Sequence, residues 1–187
     1  MLPLAAALAS PLADLGALDV RPAEPMTGYS RAAFGPAWFD ADRNHCDTRN
    51  DILARDLVDI ERDGCRVLSG LLDDPYTGRL IVFERGPRSA AVQIDHVVAL
   101  ANAWTTGAAH LAPARRVQLA NDPLNLLAVD GKTNSAKGAQ DASQWMPPAE
   151  DAWCDYAARQ VAVKTRYRLW VTPPERDALV VVLTDCE

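Results

Sequence analysis

QIDHVVALANAW (93–104) and NDPLNLLAVDGKTNSAKG (121–138) are the two stretches on which the fold turns. Ala91 to Leu100 is rich in Val and Ile and reads as a strand that carries Asp95 and His96 near its middle or end. Leu124 to Val129 reads as a second short strand, Asp130 to Lys132 as a glycine-containing turn, and a helix begins near Thr133. Neighbouring residues of a strand point to opposite faces, so Asp95 and His96 can serve one centre only where the strand ends or bends.

Working outward, Thr48 and Asp51 resemble a capping box, and Ile52, Leu53, Leu57, Val58 and Ile60 recur at helical spacing as far as Gly64. Arg66–Leu72 and Arg79–Phe83 read as a hairpin across the turn sequence DDPYTG (73–78). Pro113–Ala120 looks helical, Pro147 and Pro148 open a long helix from about Glu150 to Tyr167, and Thr172 to Glu175 cap a final helix that runs to Cys186. The arm from Leu15 to Pro36 shows no clear periodicity. Together these elements predict an α+β domain with a small antiparallel sheet and flanking helices.

The 187 residues suit one domain, about half of them apolar and about a quarter charged, which is the composition of a globular protein with a packed core. Residues 1–28 read as an N-terminal arm and residues 29–187 as the domain proper. Met1 to Ala13 resembles the apolar end of a secretory signal but is short and lacks a basic start, so a trimmed remnant is one reading. No apolar run approaches the roughly 20 residues of a membrane span, and no membrane association is expected. Cys46, Cys65, Cys154 and Cys186 form no close C-x-x-C pair, which favours disulfides over a structural zinc site. If the last two helices are antiparallel, Cys154 meets Cys186 and leaves Cys46 for Cys65. Disulfides indicate an oxidising compartment, and with the export-like segment they predict a secreted or otherwise extracytoplasmic protein.

The net charge of −6 speaks against a broadly basic, nucleic-acid-binding surface. A local patch remains open, drawn from Arg43, Arg49, Arg115, Arg116, Lys132, Lys137, Lys164, Arg166 and Arg168; an ordinary solvated surface is the alternative.

Asp95-His96, Asn125 and Asn134, in a strand, turn and helix order, resemble the HNH nucleases in their D-H…N…N form. These include secreted HNH-family endonucleases and the C-terminal nuclease domain of the GmrSD restriction enzymes. GYSRAAFGPAWFDADRNHCDTRNDIL (28–53), GCRVLSGLLDDPYTG (64–78), QIDHVVALANAW (93–104) and SQWMPP (143–148) are also family-like, so the likeness covers most of the chain. It implies a ββα-metal core and a metal-dependent endonuclease of low sequence specificity. The substrate would be DNA, with RNA as a further candidate, and the products would carry 5′-phosphate ends.

The residue chemistry points the same way. His96 is largely unprotonated near neutral pH and suits the general base. Asp95 and Asn134 offer hard oxygens for one divalent ion, magnesium with manganese as the alternative. Asn125 is expected to fix the loop through backbone hydrogen bonds, as the middle Asn of the pattern does. Lys137 and Arg49 are the candidates for phosphate contacts. Each has a plainer reading: Asp95-His96 as an ordinary pair, Asn134 as a helix cap, and Trp104, Trp145 and Trp153 as packing residues rather than base-stacking platforms. His45 and His110 read as surface residues. A monomer is expected. Two rival functions stand beside the secreted nuclease: the effector of a restriction or toxin system with specificity in a partner, and a non-catalytic secreted binding module.

Overall fold

The computed structural model describes residues 10–186. Residues 1–9, and with them most of the export-like segment, lie outside it. The chain order is α1 (Pro11–Ala17), α2 (Thr48–Asp56), β1 (Leu57–Asp63), β2 (Arg66–Asp74), β3 (Arg79–Glu84), β4 (Val92–His96), α3 (Leu100–Thr105), α4 (Pro113–Asn121), β5 (Leu126–Asp130), α5 (Gly131–Lys137), α6 (Trp153–Tyr167) and α7 (Pro173–Thr184). Strands β1, β2 and β3 form one antiparallel sheet, and β4 pairs with β5 in a separate antiparallel ladder. The fold is α+β, with small antiparallel sheets and flanking helices.

The predicted helix across 51–64 ends at Asp56, and the residues beyond it are strand β1. The cause is a bulge. Asp59 has φ 51° and the β1–β2 register shifts between Val58 and Glu61, so the two-residue alternation is broken. Leu57 and Ile60 consequently approach the same residue of β2, Gly70, and imitate the i, i+3 spacing of a helix. The N-cap is Asp47, whose carboxylate accepts from the Asn50 amide at 2.9 Å, rather than Thr48.

Helix α2 packs between the sheet and the β4–β5 ladder around Ile52, Leu53, Leu72, Phe83, Ile94 and Leu126. Polar bonds reinforce this layer. Arg55 donates to the carbonyls of Pro123 and Leu126, both at 2.8 Å, and Asp56 accepts from the Ala128 amide at 2.8 Å.

Helices α1, α6 and α7 enclose a second core containing Leu15, Val161, Leu179 and Leu183. Buried Lys164 and Glu175 pair across α6 and α7 at 2.7 Å, and Glu175 also closes the capping box with Thr172. Both expected disulfides are formed: Cys46–Cys65 joins the loop before α2 to the β1–β2 turn, and Cys154–Cys186 joins the start of α6 to the end of α7.

Helix α5 is seated directly on the chain that leads into β4, because Gly131 brings backbone against backbone. A Cβ there would meet the Ala90 carbonyl oxygen at 2.0 Å. Gly16, within α1, has nothing within 4 Å of the same position. Gly131→Ala is therefore expected to destabilise the fold by about 1–3 kcal/mol or more. Gly16→Ala should raise stability by about 0.4–1 kcal/mol. Calorimetric melting of both variants checks the contrast, and a tolerated Gly131→Ala would mean that α5 is not seated so closely.

Candidate active site

The β4–β5 ladder and α5 make a ββα unit. Asp95 stands opposite Leu127, and His96, opposite Leu126, is the last residue of β4. The strand thus ends where the two polar residues need it to end, and Val97–Leu100, expected to continue it, instead leads into α3. Asn125 governs this exit. Its Oδ1 accepts from the Val98 amide at 2.8 Å, its Nδ2 donates to the Val98 carbonyl at 3.2 Å, and its own carbonyl accepts from the Val97 amide at 2.9 Å. The side chain is fully buried, behind the cleft rather than in it.

A cleft of about 250 Å³ is lined by Asp95, His96 and Asn134 together with Tyr29, Arg31 and Gly138. Asn134 donates through Nδ2 to Gln93 Oε1 at 2.9 Å, and among the described residues its Oδ1 accepts no hydrogen bond. Gln93 and Asp95 lie on one face of β4, which sets the amide beside the carboxylate. The helix cap is Asp130, whose carboxylate accepts from the Thr133 amide, so Asn134 is not used as a cap.

His96 Nε2 lies 2.8 Å from the Ala120 carbonyl oxygen at the end of α4. A carbonyl can only accept, so Nε2 carries the hydrogen and the neutral ring leaves Nδ1 as its acceptor. Burial pushes the His96 pKa down to about 4, helped by the positive charges of Arg31 and Lys137 and opposed by the Ala120 bond.

Asp95 is 4% exposed. Tyr76 donates to it from its hydroxyl at 2.6 Å, and Lys137 Nζ lies 2.9–3.0 Å from its two oxygens. Burial raises the Asp95 pKa, while the Lys137 charge and these hydrogen bonds pull it back. These donors engage both carboxylate oxygens.

Lys137 itself is fully buried and also donates to the His96 carbonyl at 2.9 Å. In place of the expected surface phosphate contact, Lys137 is a buried support beneath Asp95, while Asn134, one turn earlier on α5, lines the cleft. Arg49 is displaced as well. It donates to the carbonyl of Val92, at the opposite end of β4, roughly 13 Å along the strand from His96.

Several of the remaining candidate cations are engaged within the fold. Lys164 is buried in its pair with Glu175, Arg166 donates to Asp122, and Arg116 donates to the carbonyls of Ala33 and Leu111. Trp104 is buried and Trp145 packs edge-on against Tyr76 and Tyr156, in keeping with packing roles.

Two residues of the site were not singled out from the sequence. Tyr76 lies in the DDPYTG turn, yet it is 1% exposed, because Asp74 gathers the Thr77 amide and hydroxyl and turns the ring inward. A large aromatic inside an otherwise polar turn was the available signal. Arg31 opens a short 3₁₀ turn, Arg31–Phe34, and borders the cleft.

Among the described residues no group of three or more His, Cys, Asp or Glu side chains could hold a metal. One carboxylate and one unpartnered amide oxygen on a shared cleft nevertheless suit a magnesium-like ion, which takes one or two protein oxygens and fills its shell with water and phosphate.

Residues 43–182 match the family described as GmrSD restriction endonucleases, C-terminal domain. The chain is also 40% identical over 175 residues, covering 92% of it and 82% of the relative, to an uncharacterized secreted protein of Arthroderma benhamiae. No solved structure matches it significantly.

Removing the Lys137 ammonium should leave a buried carboxylate uncompensated. Lys137→Met is expected to cost about 3–5 kcal/mol in urea unfolding, and pairing it with Asp95→Asn should recover part of that loss. Unchanged stability together with weaker oligonucleotide binding would restore Lys137 to the surface role.

Proposed function

Since the chain belongs to the family of GmrSD restriction endonuclease C-terminal domains, we propose that it is a metal-dependent endonuclease hydrolysing phosphodiester bonds of DNA, and of RNA as a second substrate. One observation carries the reading: Asp95, His96 and Asn134 of a ββα unit line a single cleft, with the His96 ring held so that Nδ1 is its acceptor.

In this reading the attacking water gives its proton to His96 Nδ1. The Ala120 carbonyl keeps the ring in the tautomer that can take it, and Asn125 keeps the end of β4 in place. Asp95 and Asn134 would hold one divalent ion, magnesium or manganese. Such an ion supplies charge neutralisation at the phosphate and at the departing 3′ oxygen. Tyr76 and Lys137 orient the Asp95 carboxylate, and the Lys137 charge opposes the rise that burial imposes on its pKa. Cleavage then leaves 5′-phosphate ends. Low sequence specificity is part of this reading.

The protein acts as a monomer outside the cytoplasm. Two disulfides are suited to an oxidising compartment, and the 40% identical relative is named as secreted. No helix among the described residues is long and apolar enough to cross a membrane.

The test is plasmid nicking with and without EDTA, combined with variants. His96→Ala should slow cleavage by roughly 10²-fold or more while manganese binding, read by calorimetry, stays near the parent value. Asp95→Ala should weaken that binding, and Asn134→Ala should weaken it less, because a neutral amide oxygen is a poorer ligand than a carboxylate. Added imidazole should rescue His96→Gly and leave Asp95→Ala inactive. Loss of manganese binding in His96→Ala, with no imidazole rescue, would make His96 a ligand instead.

A further inference from the structure

His96 and Arg31 stand between two cavities. On one side is the polar cleft of Asp95 and Asn134. On the other is a pocket of about 300 Å³ walled by Phe34, Trp38, Leu100 and Ala120. His96, Leu100 and Arg31 line both, so the cavities adjoin across those side chains.

Arg31 is exposed, and its side chain is in none of the hydrogen bonds or ion pairs found among the described residues. Its backbone is well anchored: Ser30 caps the 3₁₀ turn, Phe34 is buried between Tyr29 and Trp104, and Arg116 donates to the Ala33 carbonyl at 2.8 Å. Arg31 is thus a guanidinium on a fixed base, beside a cleft where the other expected cations are spoken for: Lys137 is buried against Asp95, and Arg49 donates to the Val92 carbonyl. In a chain of net charge −6 the local attraction for an anion has to come from such a group.

The wall at Trp38 is constrained as well. Trp38 holds φ 56°, a left-handed conformation uncommon for a bulky residue. The Arg49 guanidinium lies 5.9 Å from its ring centroid while donating to the Val92 carbonyl. Such a pocket, apolar and bordered by one cation and one imidazole, has the two-part chemistry of a nucleotide: a flat base with an apolar face beside an anionic phosphate.

Building on the nuclease reading above, we propose that the two cavities form one nucleotide subsite. Arg31 holds the phosphate beside Asp95 and Asn134, and the adjoining base enters the pocket against Trp38. A base in that pocket cannot remain paired or stacked, so the enzyme takes single-stranded or locally opened strands, and a duplex bears the cost of unpairing.

The experiment is binding of labelled oligonucleotides in EDTA, where nothing is cut, followed by magnesium-supported cleavage of the same strands. The parent should bind a single strand roughly 10-fold or more tighter than an abasic strand of equal length, and tighter than the duplex. Ala37 is exposed and lines the pocket, so Ala37→Leu should narrow the pocket without disturbing the core. It should weaken binding of the intact strand and leave the abasic one unchanged. Arg31→Ala should weaken both, with Arg31→Lys recovering part, and unchanged melting temperatures would separate these effects from misfolding. Equal affinity of the parent for intact and abasic strands, with cleavage intact, overturns the subsite alone. Absence of cleavage of any strand in magnesium or manganese overturns the nuclease reading, and the subsite with it.

Discussion

A carboxylate withdrawn from water must be met by donors or it gives up its charge. Asp95 is nearly enclosed, and the structure around it follows from that requirement. One donor, Tyr76, arrives from the turn between β2 and β3, and the other, Lys137, from the last turn of α5. The three-stranded sheet, the β4–β5 ladder and the helix after it are therefore tied together at one acid. The same Lys137 holds the His96 carbonyl, so the backbone between Asp95 and His96 cannot rotate without breaking a bond to a buried cation. The position of the turn is fixed in its own right, because Asp74 accepts both from Thr77 within the turn and from the Asp130 amide at the end of β5.

The opposite wall of the cleft is held by different means. His96 is hydrogen-bonded to the end of α4, Asn125 lies one residue before β5, and the 3₁₀ turn carrying Arg31 is secured to α4 through Arg116. The side chains proposed to carry the chemistry thus come from β4, α5 and the arm, while their supports come from α4 and from the turns. Most supports are bonds to main-chain carbonyls or amides, so they depend on the path of the backbone more than on the identity of a neighbouring side chain.

Asp95 and His96 stood out because they interrupt an apolar strand, and Asn134 because the resemblance to the D-H…N…N pattern joined it to them; the structure sets the three on one cleft, and their roles stand as the proposal above. The two disulfides were legible from the cysteine count and the antiparallel end helices. What escaped depends on three-dimensional detail. The bulge at Asp59 places Leu57 and Ile60 side by side and so counterfeits a helix. Lys137 and Arg49 carry the charge expected of phosphate contacts, but whether a cation faces solvent or a buried partner depends on which face of a short helix it occupies. Tyr76 and Arg31 sit in a turn and in an arm without periodicity, where pattern reading has least purchase.

The bulge at Asp59 has a further effect, on the sheet as a surface. Strand β1 lies at the edge of the three-stranded sheet, and an open edge offers unpaired amides and carbonyls to any extended strand it meets in solution. Here the left-handed Asp59 interrupts the regular spacing of those groups, and Asp59, Glu61 and Asp63 surround them with negative charge. A second copy approaching along this edge finds neither a straight template nor a neutral one. The irregularity that disguised the strand in the sequence thus also guards the folded protein against aggregation through that edge.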